Sequence, residues 1–176
     1  MAKKNVLPND LATVFTSSED GDKAVSDGIV LPLGNINNYP YTIIFNLSNE
    51  TPELLKESGR MQLRNGKFSL KIENNQFGLF TWPLLMDFND ETIKNYFEFC
   101  EKWNAPLIEL ENGWYTVEIL GGETLQESSY GSPENDGMKT YTDYFPTFEF
   151  ILKQADEPLD EVADFNFDYM LDSSCL

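Results

Sequence analysis

Two Asn-Gly dipeptides, at residues 65–66 and 112–113, place the strongest constraint on the fold of this chain. Each lies between segments in which apolar and polar residues alternate, as they do in half-buried strands. A two-residue hairpin turn needs positive φ at both central positions, and Asn-Gly adopts such angles readily. Both turns bring apolar residues opposite each other across the strands: Leu63 with Phe68, Met61 with Leu70, Leu110 with Tyr115, and Ile108 with Val117. The sequence therefore predicts two β-hairpins.

Further strands are predicted at residues 11–16, 28–33, 41–47, 76–80 and 141–153. In the last of these, Phe148, Phe150 and Leu152 alternate with polar neighbours, as in a half-buried strand. One helix is predicted near residues 90–104, because Asn89 or Asp90 can cap it and Ile93, Phe97 and Cys100 fall on one face. A short helix is predicted at residues 51–58. Loops are expected at residues 17–27, 35–40 and 121–139.

Runs of strands around one or two helices predict an α+β fold with a mainly antiparallel, sandwich-like sheet. A chain of 176 residues is long enough for one domain with a real core. We expect residues 1–153 to form a single antiparallel α+β domain, with residues 154–176 as an acidic and aromatic C-terminal segment. The predicted core has eight strand residues: Phe68, Leu70, Ile108, Leu110, Tyr115, Val117, Phe148 and Phe150.

Negative charge dominates the composition, with 30 acidic residues against 12 basic ones and a net charge of −18. A field of this sign repels phosphate backbones and anionic membranes and attracts basic surfaces. We therefore predict a basic protein as partner, with no direct binding of nucleic acid or membranes. Acidity also keeps proteins soluble, and that simpler interpretation stays open.

The C-terminal segment concentrates this charge, since no basic residue follows Lys153. Five aspartates recur every four residues, at positions 156, 160, 164, 168 and 172. On a helix this spacing stacks carboxylates at intervals of roughly 6 Å. Three interpretations remain: a solvated tail, an amphipathic helix or other segment docked on the domain, or a contact element for a basic partner.

The chain lacks the residues and motifs on which most enzyme mechanisms depend. The chain has no histidine, which removes the commonest general base and metal ligand. Its two cysteines, Cys100 and Cys175, are too few for a zinc site of Cys/His type and do not indicate a disulfide framework. No glycine-rich phosphate-binding motif is present. The sequence therefore predicts a non-enzymatic protein without a cofactor or a bound metal.

Trp114 is the most informative candidate for a contact residue. In the predicted hairpin it shares a face with Glu109, Glu111 and Glu118, and an aromatic ring among carboxylates suits a Lys- or Arg-rich partner. A helix or second sheet that covers this face is the alternative. The predicted partner-binding residues are Glu109, Glu111, Trp114 and Glu118, together with Asp160, Asp164 and Asp168.

No signal peptide is recognisable, and the longest nearly apolar run, residues 77–86, is about half the length of a membrane span. We expect a cytoplasmic protein, and we place Trp82, which lies in this run, and Trp103 in the core.

A small acidic domain with aromatic strands, Asn-Gly hairpins and no catalytic equipment resembles bacterial immunity proteins, which neutralise toxins. The resemblance is one of composition over the whole chain and carries over no individual residue. It implies a tight one-to-one complex with a basic toxin, often a nuclease, that is blocked at or near its active site. The alternatives are a nucleic-acid mimic that binds DNA-binding proteins and a structural protein of a phage or secretion system.

Overall fold

The computed structural model describes residues 9–103, 106–130, 139–160, 163–164 and 166–172. The chain forms two compact units, each built from two stretches of sequence. The first unit comprises Met1–Leu31 and Leu70–Trp114, and the second comprises Pro32–Ser69 and Tyr115–Leu176.

The described elements confirm the predicted α+β fold. The helices are α1 (Leu11–Ser17), α2 (Glu19–Ser26), α3 (Trp82–Met86) and α4 (Asp90–Trp103), with one 3-10 turn at Glu53–Leu55. The strands are β1 (Thr42–Asn46), β2 (Gly59–Ile72), β3 (Gln76–Gly78), β4 (Leu107–Glu109), β5 (Gly113–Tyr130) and β6 (Lys139–Ala155).

The larger sheet is mixed and has the strand order β1-β6-β5-β2. Strand β1 runs parallel to β6, with Ile43 beside Phe148. Side-chain contacts show that β5 runs antiparallel to both of its neighbours, because partners move backward along one strand as they move forward along the other. These contacts join Arg60 to Glu123, Arg64 to Glu118, Thr124 to Thr147 and Thr116 to Lys153. Strands β3 and β4 form a separate antiparallel pair.

The predicted hairpin at residues 65–66 is wrong, because both residues lie within the continuous strand β2. Only Gly66 has positive φ (101°), whereas the two-residue turn needs it at both positions. A Cβ on Gly66 would lie 2.8 Å from the carbonyl oxygen of Val117 on β5, so a close strand approach requires glycine there. The burial pattern shifts by one residue at this point, as at a β-bulge: Phe68, Leu70 and Ile72 are buried beyond it.

The second predicted hairpin is also wrong, because β4 pairs with β3 and not with β5. Asn112 hydrogen-bonds Asn75 in both directions: its side-chain oxygen accepts the Asn75 N–H at 2.8 Å, and its own N–H donates to the Asn75 side chain at 3.2 Å. The paired positive φ values expected of an Asn-Gly turn occur instead at Asn74 (61°) and Asn75 (55°), between β2 and β3.

Two N-terminal predictions are wrong because local side-chain interactions favour helices there. Residues 11–16 form helix α1 and not a strand, because Asp10 accepts hydrogen bonds from the Thr13 N–H at 2.9 Å and the Thr13 hydroxyl at 2.7 Å. The predicted loop at residues 17–27 contains helix α2, whose first turn carries three acidic residues that complement the helix dipole. Gly21 lets α2 approach α1 closely, since a Cβ there would lie 2.2 Å from the Phe15 carbonyl oxygen.

The remaining element predictions are partly confirmed. Strands at residues 41–47, 76–80 and 141–153 are confirmed, and so is helix α4, with the Asn89 side chain accepting the N–H groups of Glu91 and Thr92 at 3.0 Å. Residues 28–33 form no strand, and the helix predicted at residues 51–58 is reduced to one 3-10 turn. The predicted loop at residues 121–139 is wrong over 121–130, where β5 continues; residues 131–138 lie outside the described residues.

Seven of the eight predicted core side chains are buried, and Ile108 is half-buried. On α4, Cys100 is buried and Ile93 and Phe97 are half-buried. The second unit also buries residues from the C-terminal segment, Tyr169 and Leu171, each 1% exposed.

Candidate functional site

The C-terminal segment, described at residues 156–160, 163–164 and 166–172, contains no helix there and follows strand β2 in an extended form. Hydrogen bonds join Leu159 N–H to the Ser69 hydroxyl at 2.6 Å and the Asn65 amide to the Tyr169 hydroxyl at 3.0 Å. Further along, Gln62 exchanges two hydrogen bonds with the backbone of Asp172. The residue numbers of the partners on β2 fall as the residue numbers of the segment rise. The segment therefore runs antiparallel to β2.

Aromatic and aliphatic side chains fix the segment to the second unit. The Tyr169 ring lies edge-on to Phe167 and Phe148, with centroid distances of 4.7 and 6.4 Å. Burial raises the pKa of the Tyr169 hydroxyl, since the charged phenolate loses its hydration there. Leu171 packs over Gly121, where a Cβ would lie 3.0 Å from its side chain.

The acidic side chains of the same segment point to solvent. Six carboxylates share this exposure: Asp156, Glu157, Asp160, Asp164, Asp168 and Asp172. Within the described part of the chain, none of the six forms an ion pair with a lysine or arginine. Asp164 and Asp168 also accept the backbone N–H groups of Asn166 and Met170, at 2.8 and 3.0 Å, which fixes these two carboxylates relative to the chain.

The helical stripe of aspartates, which the four-residue spacing would give on a helix, is therefore not formed in the described part of the segment. Asp160, Asp164 and Asp168 are exposed, and their contact with a partner stays a prediction. Asp156 and Asp172 were left out of the predicted site although they continue the same four-residue series, so the spacing itself could have included them.

A second acidic surface lies in the first unit, at a cleft of about 530 Å³. Its lining combines two carboxylates, three side-chain amides and one leucine: Asn74, Asn75, Gln76, Glu109, Leu110 and Glu111. Glu109 and Glu111 are exposed, and the Asn75–Asn112 hydrogen bonds hold the two sides of the cleft together. Carboxylate and amide oxygens accept hydrogen bonds from ammonium and guanidinium groups, so the cleft suits a Lys or Arg side chain.

Trp114 and Glu118 do not have the arrangement that the hairpin predicted. Trp114 is half-buried, and the pairing that put Glu111 opposite it is not formed. Glu118 binds Arg64 of β2 through both carboxylate oxygens, at 2.8 and 3.1 Å, and this pair raises the pKa of Arg64. The Glu118 carboxylate is therefore neutralised within the second unit. Contact of either residue with a partner stays a prediction.

Two acidic residues of β5 and β6 have structural positions that the sequence did not reveal. Glu149 is fully buried, and its carboxylate accepts the Asn46 amide at 2.9 Å and the Leu54 N–H at 3.0 Å, which attaches the 3-10 turn to the sheet. Glu123 is buried beside Arg60, whose guanidinium lies 3.4 Å above the Tyr144 ring. Neither carboxylate adds to the exposed acidic surface.

The described residues contain no group of three or more Cys, Asp or Glu side chains placed to hold a metal ion. In the same part of the chain, no helix combines the length and apolar character needed to cross a bilayer. Comparisons of the chain with protein-family models, with curated proteins and with solved structures return no match.

Proposed function

We propose that this chain is an acidic inhibitor that binds a basic protein through the exposed carboxylates of its C-terminal segment. The observation that carries the proposal is that this segment buries apolar side chains and exposes acidic ones. Tyr169 and Leu171 are anchored in the core, while six carboxylates without ion-pair partners in the described chain face solvent.

Anchoring makes the acidic surface effective for recognition. Charges on a fixed backbone need little ordering when a partner binds, so less conformational entropy is lost than with a mobile tail. Concentrated charge of one sign also steers an oppositely charged protein and raises the association rate. The cleft lined by Glu109 and Glu111 offers an additional place for a Lys or Arg side chain.

The basic partner proposed here is a toxin, such as a nuclease, whose active or substrate-binding surface the chain covers. A nuclease that binds phosphates needs a basic surface, and an acidic inhibitor complements it. The resemblance to bacterial immunity proteins supports the same assignment. A nucleic-acid mimic in which the aspartates imitate backbone phosphates along a helical stripe is less well supported, because the described part of the C-terminal segment contains no helix.

The test is association kinetics with a panel of purified basic nucleases, compared with the triple variant Asp160→Asn, Asp164→Asn and Asp168→Asn. Asparagine keeps the oxygen that accepts the Asn166 and Met170 N–H groups, so this variant removes charge without removing the local hydrogen bonds. Wild-type chain is expected to inhibit a nuclease of the panel, and the variant to associate more slowly and with a weaker salt dependence.

The matched control neutralises three exposed acids of the first unit, Glu19, Asp20 and Asp22, and should leave the association rate almost unchanged. Measurements at about 0.01 M and about 0.15 M salt, where the Debye lengths are about 30 and 8 Å, separate steering from short-range contact. Equal association rates for wild type and the C-terminal triple variant would contradict the proposal.

A further inference from the structure

The surface of the first unit carries an apolar patch around helix α3, a helix without a single buried residue. Trp82 and Met86, which are 47% and 62% exposed, lie four residues apart and so share one face of α3. Phe80, 45% exposed, precedes the helix, and its ring lies 5.1 Å from Tyr96 of α4. We call Phe80, Trp82 and Met86 the α3 patch.

Exposed carboxylates follow the α3 patch directly in the chain. Asp87 ends α3, and Asp90 and Glu91 form the first turn of α4. Asp87 accepts the Asn89 side-chain amide at 2.8 Å, but none of these three acids forms an ion pair within the described residues. The apolar side chains therefore have uncompensated negative charge next to them.

We infer that the α3 patch is a second docking surface, and that its occupant is a basic amphipathic helix of a partner protein. The apolar face of such a helix would cover Trp82 and Met86, and its Lys or Arg residues would meet Asp87, Asp90 and Glu91. Trp, Phe and Met are enriched at the centres of protein interfaces, and amphipathic helices bind apolar surfaces through residues spaced three or four apart. The inference goes beyond the proposed function, because it concerns other residues and a contact driven by apolar burial.

Charge argues against the two other occupants of an exposed apolar surface. A second copy of this chain, which also carries a net charge of −18, would bring a second set of the same carboxylates to the contact. An anionic membrane would repel these carboxylates for the same reason. A cationic amphipathic helix, in contrast, complements both the apolar side chains and the acids that follow them.

The probe is a synthetic Leu/Lys peptide of roughly 18 residues, about five helical turns, with leucine on one face and lysine on the other. Its control is a peptide of the same composition in scrambled order, which keeps the charge but has no apolar face. In titration calorimetry, the wild-type chain should bind the amphipathic peptide at least about tenfold more tightly than the scrambled one. The double variant Trp82→Ala, Met86→Ala should lose that difference.

The matched control variant is Met61→Ala, Met170→Ala, which removes two exposed apolar side chains of the second unit and should keep the difference. Trp82→Phe, which retains an aromatic ring, should keep most of the affinity and guards against a folding defect in the double variant. Neutralising Asp160, Asp164 and Asp168 should leave the difference intact, so failure here and failure of the proposed function are separately visible.

Three results would overturn the inference. One is equal binding of the two peptides by the wild-type chain. Another is a dimer in sedimentation velocity that Trp82→Ala, Met86→Ala abolishes, which would make a second copy the occupant. The third is binding of the wild-type chain, but not of the double variant, to phosphatidylcholine vesicles, which would make the α3 patch a lipid contact.

Discussion

The C-terminal segment is acidic and the segment at residues 77–86 is apolar, but large side chains are buried in the acidic segment and exposed in the apolar one. The C-terminal segment carries six exposed carboxylates, yet Tyr169 and Leu171 are among the most deeply buried side chains of the second unit. The apolar segment belongs to the first unit, yet Phe80, Trp82 and Met86 are largely exposed.

This difference shows that the burial of a side chain depends more on the packing partners available to it than on the mean hydropathy of its segment. The sheet of the second unit offers a specific place to each anchor of the C-terminal segment: the Phe148 ring for Tyr169 and the bare backbone of Gly121 for Leu171. Helix α3 has only five residues, and none of them is buried. Its apolar side chains therefore stay accessible to solvent. We therefore expect Tyr169 and Leu171 to hold the C-terminal segment more firmly than the exposed apolar residues hold helix α3.

The sharpest test of the comparison is truncation of one large aromatic residue in each segment. Tyr169→Ala should lower the free energy of unfolding by about 3 kcal/mol, because it opens a cavity in the core of the second unit. Trp82→Ala should change it by less than about 1 kcal/mol, since half of this larger side chain already contacts water. Urea denaturation followed by circular dichroism measures both values. Equal losses for the two variants would show that the apolar segment is as firmly packed as the C-terminal one.

A second, smaller effect on stability is expected where Leu171 packs against Gly121. In Gly121→Ala the new Cβ would lie 2.9 Å from Leu63 Cγ and 3.0 Å from Leu171 Cδ2, so both side chains must move. We expect a loss of about 1–3 kcal/mol from overpacking. In a Leu171→Ala background the same substitution should cost less, because one crowding partner is gone. Additive losses in this double-mutant cycle would separate Gly121 from the anchoring of the segment.

The burial of the sheet residues was predictable from the sequence, but the connection between the strands was not. A two-residue turn and a one-residue bulge at Asn65-Gly66 both place Leu63 and Phe68 on the same face, since each shifts the alternation by one residue. The hydrophobic pattern therefore identified the buried faces correctly and could not distinguish a hairpin from one continuous strand. The hairpin prediction at the second Asn-Gly is wrong for another reason. The Asn112 side chain hydrogen-bonds Asn75, which lies 37 positions earlier in the chain, and the local sequence does not reveal such a distant partner.

Of the candidate site, exposure of the carboxylates could be predicted, whereas their geometry could not. The spacing of Asp160, Asp164 and Asp168 suggested a helix, but in the extended segment Asp164 and Asp168 instead accept N–H groups two residues ahead. Helix α1 shows the same limit, since residues 11–16 are predicted as a strand but the Asp10 cap favours a helix. Side-chain bonds of this kind depend on the local backbone conformation, which the residue pattern did not specify in these two segments.

The buried phenol of Tyr169 provides a pH-dependent test of the anchoring. Burial raises its pKa above the value of about 10 in the unfolded chain, and the nearby Asp164 acts in the same direction, while the Asn65 hydrogen bond opposes them. A raised pKa means that the stabilisation is fully present below about pH 10 and is lost as the pH rises toward the folded value. Wild-type stability should therefore fall more steeply above pH 10 than that of Tyr169→Phe.

Stability is measured by urea denaturation at several pH values between about 8 and 11. The difference between the two proteins isolates Tyr169 from other alkaline groups, among them Tyr41 and Tyr96, whose pKa values burial also raises. Parallel pH profiles would mean that the phenol stays accessible and that the segment is anchored by Leu171 alone.

The smallest expected effect separates the charge of the C-terminal segment from its anchoring. Asp168→Asn keeps an oxygen that can accept the Met170 N–H, now at 3.0 Å, and should leave the free energy of unfolding within about 0.5 kcal/mol of wild type. Asp168→Ala removes the acceptor and should cost about 1 kcal/mol or less, because the hydrogen bond is exposed and water can replace it. Hydrogen exchange of the Met170 amide reports the local change directly: it should be faster in Asp168→Ala and unchanged in Asp168→Asn. Faster exchange in both variants would show that the negative charge itself, and not the hydrogen bond, holds the turn before the Leu171 anchor.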